Sequence, residues 1–182
     1  MASNDLRTAH LRPRVSEKVW APLIWFKGCT PKLAFNLWVT NLDRLPTKSR
    51  LASWGLDVST TCSLCSGSFE TRDHLFFHCA FTSIIWDKIM IRIGHPAHSF
   101  SDWNSILHWA QVQSIASPKT LRLLIIHSLV YLVWRQRNNF IHNQIDLSPT
   151  AVFKELDRLI INTITARRHL KNFRHLMALW LH

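Results

Sequence analysis

Four residues in the stretch CSLCSGSFETRDHLFFHC, namely Cys62, Cys65, His74 and Cys79, have the types and spacing of a metal-binding set. Two cysteines separated by two residues can turn both sulfurs toward one point, and a His and a third Cys after a loop of eight residues can complete a tetrahedron. A thiolate-rich set with one imidazole suits Zn²⁺. Four protein ligands leave no position for a reactive water, so the expected metal is one structural zinc.

Other uses of these residues are weaker. A redox Cys-x-x-Cys pair usually follows a strand and opens a helix, whereas the flanking DVSTT and SGSFE read as turns. Cys29, between Gly28 and Pro31 with no second ligand nearby, fits an ordinary core thiol. The fourth ligand has two candidates. His74 and His78 are four apart and would share a helix face, while Cys79, at five apart, requires the chain to leave the helix there. Thiolate preference favours Cys79, with His78 as the alternative. Asp73 reads as a helix-start residue or one that orients His74.

The elements that must position these ligands follow from the apolar pattern. With 182 residues, 47% of them hydrophobic, the chain can bury a core of its own, so the metal is a local staple whose loss should loosen the loop before the helices. Residues 1–18, with Arg7, Arg12, Pro13 and Arg14, read as a flexible basic arm, and residues 19–182 as the zinc-binding helical domain. Trp20, Leu23, Trp25 and Phe26 form an aromatic anchor. Pro31 opens a helix to about Leu42, with Leu33, Leu37 and Trp38 along one stripe. Thr47 caps a short helix that Gly55 ends, and the zinc loop takes residues 57–80.

Beyond it, Phe81, Ile84, Ile85, Trp86, Ile89 and Ile93 mark a helix closed by Gly94, with Lys88 and Arg92 on its wet side. Ser99 or Ser101 caps a helix carrying Trp103, Ile106, Leu107 and Ala110. A long buried helix runs from about Pro118 to Asn143, and Ser148–Pro149 starts a C-terminal basic helix over residues 149–178 with Val152, Leu156, Leu159, Ile160 and Ile164 inward. About six helices and almost no strand pattern place the fold in the all-α class, with an inserted structural zinc loop.

The first twenty residues lack an apolar leader and the cysteines suit a reducing compartment, so the expectation is an intracellular protein that is not secreted. The most apolar run, Leu121–Trp134, is shorter than the roughly 20 residues of a membrane span. A formal charge of +11, from 22 Lys and Arg against 11 Asp and Glu, suits a polyanionic partner, RNA or DNA. Phosphate contacts would come from Arg44, Lys48 and Arg50, from Arg135 and Arg137, and above all from Arg167, Arg168, Lys171 and Arg174. The last four, at the end of a helix, would also complement its dipole. Trp38, Trp86 and Trp134 lie in apolar segments where packing explains them better than base stacking. No Ser-His-Asp or paired-carboxylate pattern stands out, four glycines leave no phosphate-cradling loop, and neither a small-molecule substrate nor a membrane partner is expected.

The order of segments VWAPLIWFKGCTPKLAFNLWVTNLDRLPTKSRLASWG, CSLCSGSFETRDHLFFHC, IIWDKI and, more loosely, LVWRQRNNFIH resembles the reverse transcriptase zinc-binding domain of plant non-LTR (LINE-type) retrotransposon polyproteins. The likeness runs from about Val19 to His142. It implies a module C-terminal to a reverse transcriptase, with Cys62, Cys65, His74 and Cys79 at the family's metal positions, and work on chromosomal DNA in the nucleus. The polymerase's Tyr-x-Asp-Asp turn has no counterpart, since Tyr131 is followed by Leu132, Val133 and Trp134, and the carboxylates of a ribonuclease H are not recognisable. The chain therefore resembles a detached module or a fragment of a larger element. Its loop before His74 is longer than that of a retroviral nucleocapsid knuckle. A non-catalytic accessory domain engaging RNA or target DNA is the leading expectation; a scaffold docking on the polymerase or on a host protein is the other.

Overall fold

The apolar run beginning at Leu121 becomes the axis of the molecule, because a helix that is hydrophobic on all sides must be surrounded. The structure, a computed structural model, describes residues 18–96, 100–112 and 114–181; the expected arm over 1–18 lies outside these apart from Lys18, as does Ser99. The described residues form α1 (Ala21–Ile24), α2 (Pro31–Asn41), α3 (Lys48–Ser53), a π-helical turn (His74–His78), α4 (Ala80–Arg92), α5 (Trp103–Gln111), α6 (Lys119–Asn143), α7 (Pro149–Ala166), a 3₁₀ turn (Lys171–Phe173) and α8 (Leu176–Leu181). The fold is all-α. Its strand-like feature is an isolated antiparallel bridge, Thr61–Phe69.

Residues 121–130 of α6 are all buried, enclosed by α2 on one side, α7 on another, and α1 and α5 at the N-terminal half. The helix α4 packs on α7, completing the layer beside the metal loop. Local rules account for most of the ends. Pro31 and Pro149 sit in first turns, and Ser148 Oγ accepts the Ala151 N–H at 3.2 Å. Gly55 and Gly94 stop their helices with positive φ.

Several expectations need correction. The cap of α5 is Asp102, whose carboxylate accepts from Ser105 N–H while Ser105 Oγ receives the Asp102 N–H, a capping box that supersedes Ser99 or Ser101. On α4, Ile84 faces outward, 45% exposed, because Thr82 occupies the inward position above Leu75. Arg92 is not simply a solvated side chain. It binds Asp157 of α7 at 3.1 Å and lies over the rings of Phe153 and Trp180. In the N-terminal anchor Leu23 and Ile24 are the buried residues, whereas Trp25 is half exposed.

The expected helix over 149–178 is in three pieces. The chain turns after Ala166 so that Phe173, 1% exposed, can lie against Gly28, where a Cβ would come within 2.7 Å of its ring. Gly28, at φ 94°, is therefore required both by its backbone and by this approach. Burying Phe173, and after it Leu176 and Trp180, outweighs continuing a polar helix. Arg167 Nη2 fastens the turn by donating to Thr30 Oγ1 at 3.1 Å.

α6 also carries a buried imidazole. His127 donates Nε2–H to the Leu23 carbonyl at 3.1 Å and meets Phe26 edge to face, and its Nδ1 has no partner among the described residues. Burial disfavours its charged form and lowers its pKa from the usual 6.5 to about 4. Unfolded, this group binds a proton as pH falls through 6.5; folded, it resists until about 4. Its neutral burial therefore contributes full stability above 6.5, drained by about 3 kcal/mol as pH falls from 6.5 to 4. Urea midpoints of a His127→Gln variant, measured over this window, should fall less steeply than those of the wild type; parallel profiles would contradict the assignment.

Candidate metal centre

The metal loop is built from a turn and a broken helix. After α3 the chain forms the Thr61–Phe69 bridge, and Cys62 N–H donates to Ser68 O at 2.8 Å while Ser66 N–H returns to Cys62 O at 2.9 Å. Ser66 takes φ 55°, the left-handed conformation that folds the first two cysteines into a knuckle. Leu64 and Cys65 N–H groups then point at the Cys62 sulfur.

The second pair comes from the HLFFH segment. Thr71 Oγ1 accepts from His74 N–H at 3.1 Å, and the turn that follows is π-helical: Cys79 N–H donates five residues back to His74 O at 2.7 Å. Cys79 itself is extended, φ −70°, ψ 127°, and is the N-cap of α4. The carbonyls freed by the break are taken by α4 side chains, Leu75 O by Thr82 Oγ1 and Phe76 O by Trp86 Nε1. Phe76 and Phe77 pack on Trp103, and Arg72 covers that ring from 5.0 Å.

The result is that one donor atom from each of Cys62, Cys65, His74 and Cys79 lies within 4.8 Å of every other. The two opposite edges are Cys62 Sγ to Cys79 Sγ, 3.9 Å, and Cys65 Sγ to His74 Nε2, 3.3 Å. Zinc at the centre of a tetrahedron, with Zn–S of about 2.3 Å and Zn–N of about 2.0 Å, places two sulfurs about 3.8 Å apart and sulfur and nitrogen about 3.5 Å apart. The donor set and its spacing fit one structural zinc. His78 is elsewhere: its Nε2 lies 3.1 Å from Ser101 O, on the surface. Cys29 stays outside the cluster, partly buried and with its thiol pKa raised by that burial.

The thiols are electrostatically prepared. Contact with the Cys79 thiol, helped by the knuckle N–H groups, draws Cys62 down to about 5; the same contact and burial push Cys79 up. A doubly charged cation at this point would favour the thiolate of both. Phe81 and Thr82 N–H groups at the start of α4 hydrogen-bond the Cys79 sulfur, so the helix end supports negative charge there.

Glu70 is a functional residue that sequence reasoning misses. Its side chain is 0% exposed, and its carboxylate accepts Lys48 N–H at 2.9 Å, Ser63 N–H at 3.2 Å, and Arg137 Nε and Nη2 at 3.0 and 2.7 Å. One carboxylate thus joins the knuckle, the start of α3 and the middle of the fold. Nothing local in the sequence marks it, because its decisive partner is 67 residues away. Asp73, by contrast, binds neighbouring Arg72 and makes no side-chain cap.

This pairing also corrects the expected phosphate contacts. Arg137, 4% exposed, is consumed by Glu70 and Pro46 O, and Arg135 is paired with Glu155. Lys48 Nζ donates to Thr61 O, and Arg50 reaches Asp43 at 3.8 Å and lies over Trp54. Arg168, Lys171 and Arg174 are exposed, Arg167 partly so, and all four sit on the turns after α7 rather than on one helix. Trp86 is buried and Trp38 and Trp134 partly buried, as packing requires.

Residues 7–86 match the family described as zinc-binding in reverse transcriptase. The match takes in all four donors, Glu70 and the start of α4, and covers less than half of the chain. No curated protein and no solved structure matches. Among the described residues no helix is long and apolar enough to cross a membrane.

Purified protein should contain about one zinc per chain by elemental analysis; Cys62→Ser and Cys79→Ser should lose it, and His78→Ala should retain it. Chelation should expose the amides of residues 60–79 to exchange while helical circular dichroism persists; simultaneous loss of both would contradict a local staple. Removing one partner of a buried pair costs about 3–5 kcal/mol, so Glu70→Ala should destabilise by that amount in urea titrations. Adding Arg137→Met should recover part of the loss, and strictly additive losses would refute the coupling.

Proposed function

We propose that this protein is a non-catalytic accessory domain of a reverse transcriptase from a non-LTR, LINE-type retroelement of plant type, stabilised by zinc and acting on RNA or target DNA in the nucleus. The observation that carries the reading is the Cys62–Cys65–His74–Cys79 cluster, buried except at half-buried Cys65, inside the segment that matches a reverse transcriptase zinc-binding family. Four protein donors leave the metal no position for substrate, which supports a structural rather than a chemical role. A charge of +11 and the exposed Arg168, Lys171 and Arg174 support a polyanionic partner.

A second reading, docking on the polymerase core or on a host protein, is favoured by an apolar hollow of about 580 Å³ beside the metal loop, lined by Pro46, Leu51, Val58, Trp134 and Ile141. Half-exposed Trp54 and Leu56 are near it in sequence. Nucleic-acid binding separates the two.

Alanine at Arg167, Arg168, Lys171 and Arg174 together should weaken duplex binding and reduce the slope of log K against log salt by about 3, since Arg167 is already held by Thr30. Fluorescence anisotropy across a salt series measures this. An unchanged slope would remove the C-terminal turns from the interface, and absence of binding to any duplex or single strand would favour the docking reading.

A further inference from the structure

A groove of about 400 Å³ lies between the first turn of α2, the middle of α6 and one face of α7. Leu33, Leu132 and Leu159 contribute its apolar lining, and Lys32, Arg135 and Arg158 bring positive charge to it. Glu155 is its acidic group, and Arg135 already binds that carboxylate. Lys32 and Arg158 are exposed and make no ion pair among the described residues.

Two of these cations meet one aromatic ring. Lys32 Nζ stands 5.0 Å from the centre of the Tyr131 ring, and the Arg135 guanidinium 5.7 Å from it. Arg167, bonded to Thr30, brings another cation to the N-cap of α2, where the helix dipole is also positive. Cations of one sign gathered beside an apolar surface repel one another, and an anion that also has a flat apolar face would satisfy both features.

We propose that this groove holds one unpaired nucleotide of a single strand, its phosphate on Lys32 and Arg158 and its base or ribose over the leucines. Thr30 and Asn162 are the polar groups that can hydrogen-bond it. A duplex keeps its bases stacked and paired, so only an unpaired nucleotide can turn a face into a slot of this size. The volume is within the roughly 300–1,000 Å³ of small-ligand pockets. Tyr131, Arg135 and Arg158 lie beyond the segment that matches the reverse transcriptase family, whereas Thr30, Lys32 and Leu33 lie within it, and none of the four metal donors lines the groove. The proposal rests on the nucleic-acid reading above but places a contact away from the C-terminal turns.

The test uses the full chain with zinc bound and a fluorescein-labelled oligouridylate of about 20 nucleotides, with oligothymidylate and a duplex of equal length as comparison probes. Lys32→Ala/Arg158→Ala should weaken single-strand binding roughly tenfold at low salt and reduce the salt slope by about 1.4, with a smaller effect on the duplex. Lys119→Ala/Lys154→Ala, which removes the same charge from exposed positions outside the groove, should leave single-strand binding near wild type. Equal losses in both double variants would reduce the effect to net charge and overturn the groove while nucleic-acid binding stands. Competition by polyglutamate as effective as by unlabelled oligonucleotide at equal charge would also overturn it. No binding by the wild type to any probe would remove the nucleic-acid reading and the groove together.

Discussion

The buried ion pair between Glu70 and Arg137 is the constraint on which the rest of the molecule depends. A carboxylate with no exposure is tolerable only when it is paired and hydrogen-bonded, and Glu70 accepts from one guanidinium and two backbone N–H groups. Those donors come from α3, the first cysteine knuckle and α6. The metal loop is therefore seated on the central helix by charge, and not only closed upon itself by zinc. The pair contributes position more than net stability, because desolvating two charges offsets much of their attraction.

Seen from the metal, the same economy recurs. Cys79 ends the π turn, supplies a ligand and caps α4, so the backbone break needed to bring a fifth-residue donor round to His74 is also the start of the next helix. The carbonyls released by that break are buried and satisfied by Thr82 and Trp86. Aromatic packing of Phe76, Phe77 and Trp103 then fixes the turn against α5. Metal geometry and core packing share the same residues, which is why a closed site suits a structural role.

Much of this is legible in the sequence because it is local. Spacing of Cys62, Cys65, His74 and Cys79, Pro at first turns, Gly at helix ends and the apolar run of α6 each act within a few residues. What the sequence hides depends on distant partners. Glu70 and Arg137 read as a loop acid and a surface base, yet they meet in the core across 67 residues. The C-terminal helix reads as continuous because helical pattern carries no record of Gly28, whose missing side chain makes room for Phe173 and bends the chain. Likewise Arg92 and Arg135 look solvated until α7 supplies Asp157 and Glu155.

The π turn bears on how this segment can change over generations. A π turn is an α-helix with one residue too many, and here the surplus residue is what lets His74 and Cys79 face a common point. Deleting one residue between them would restore a regular helix and remove the extended residue at which Cys79 ends the turn and caps α4, so the register of α4 against the metal loop would shift. Upstream, the stretch from Cys65 to His74 is also measured out, since Glu70 within it must reach α6. Side chains such as exposed Phe69 can be exchanged there at little cost, but the segment has almost no freedom in length.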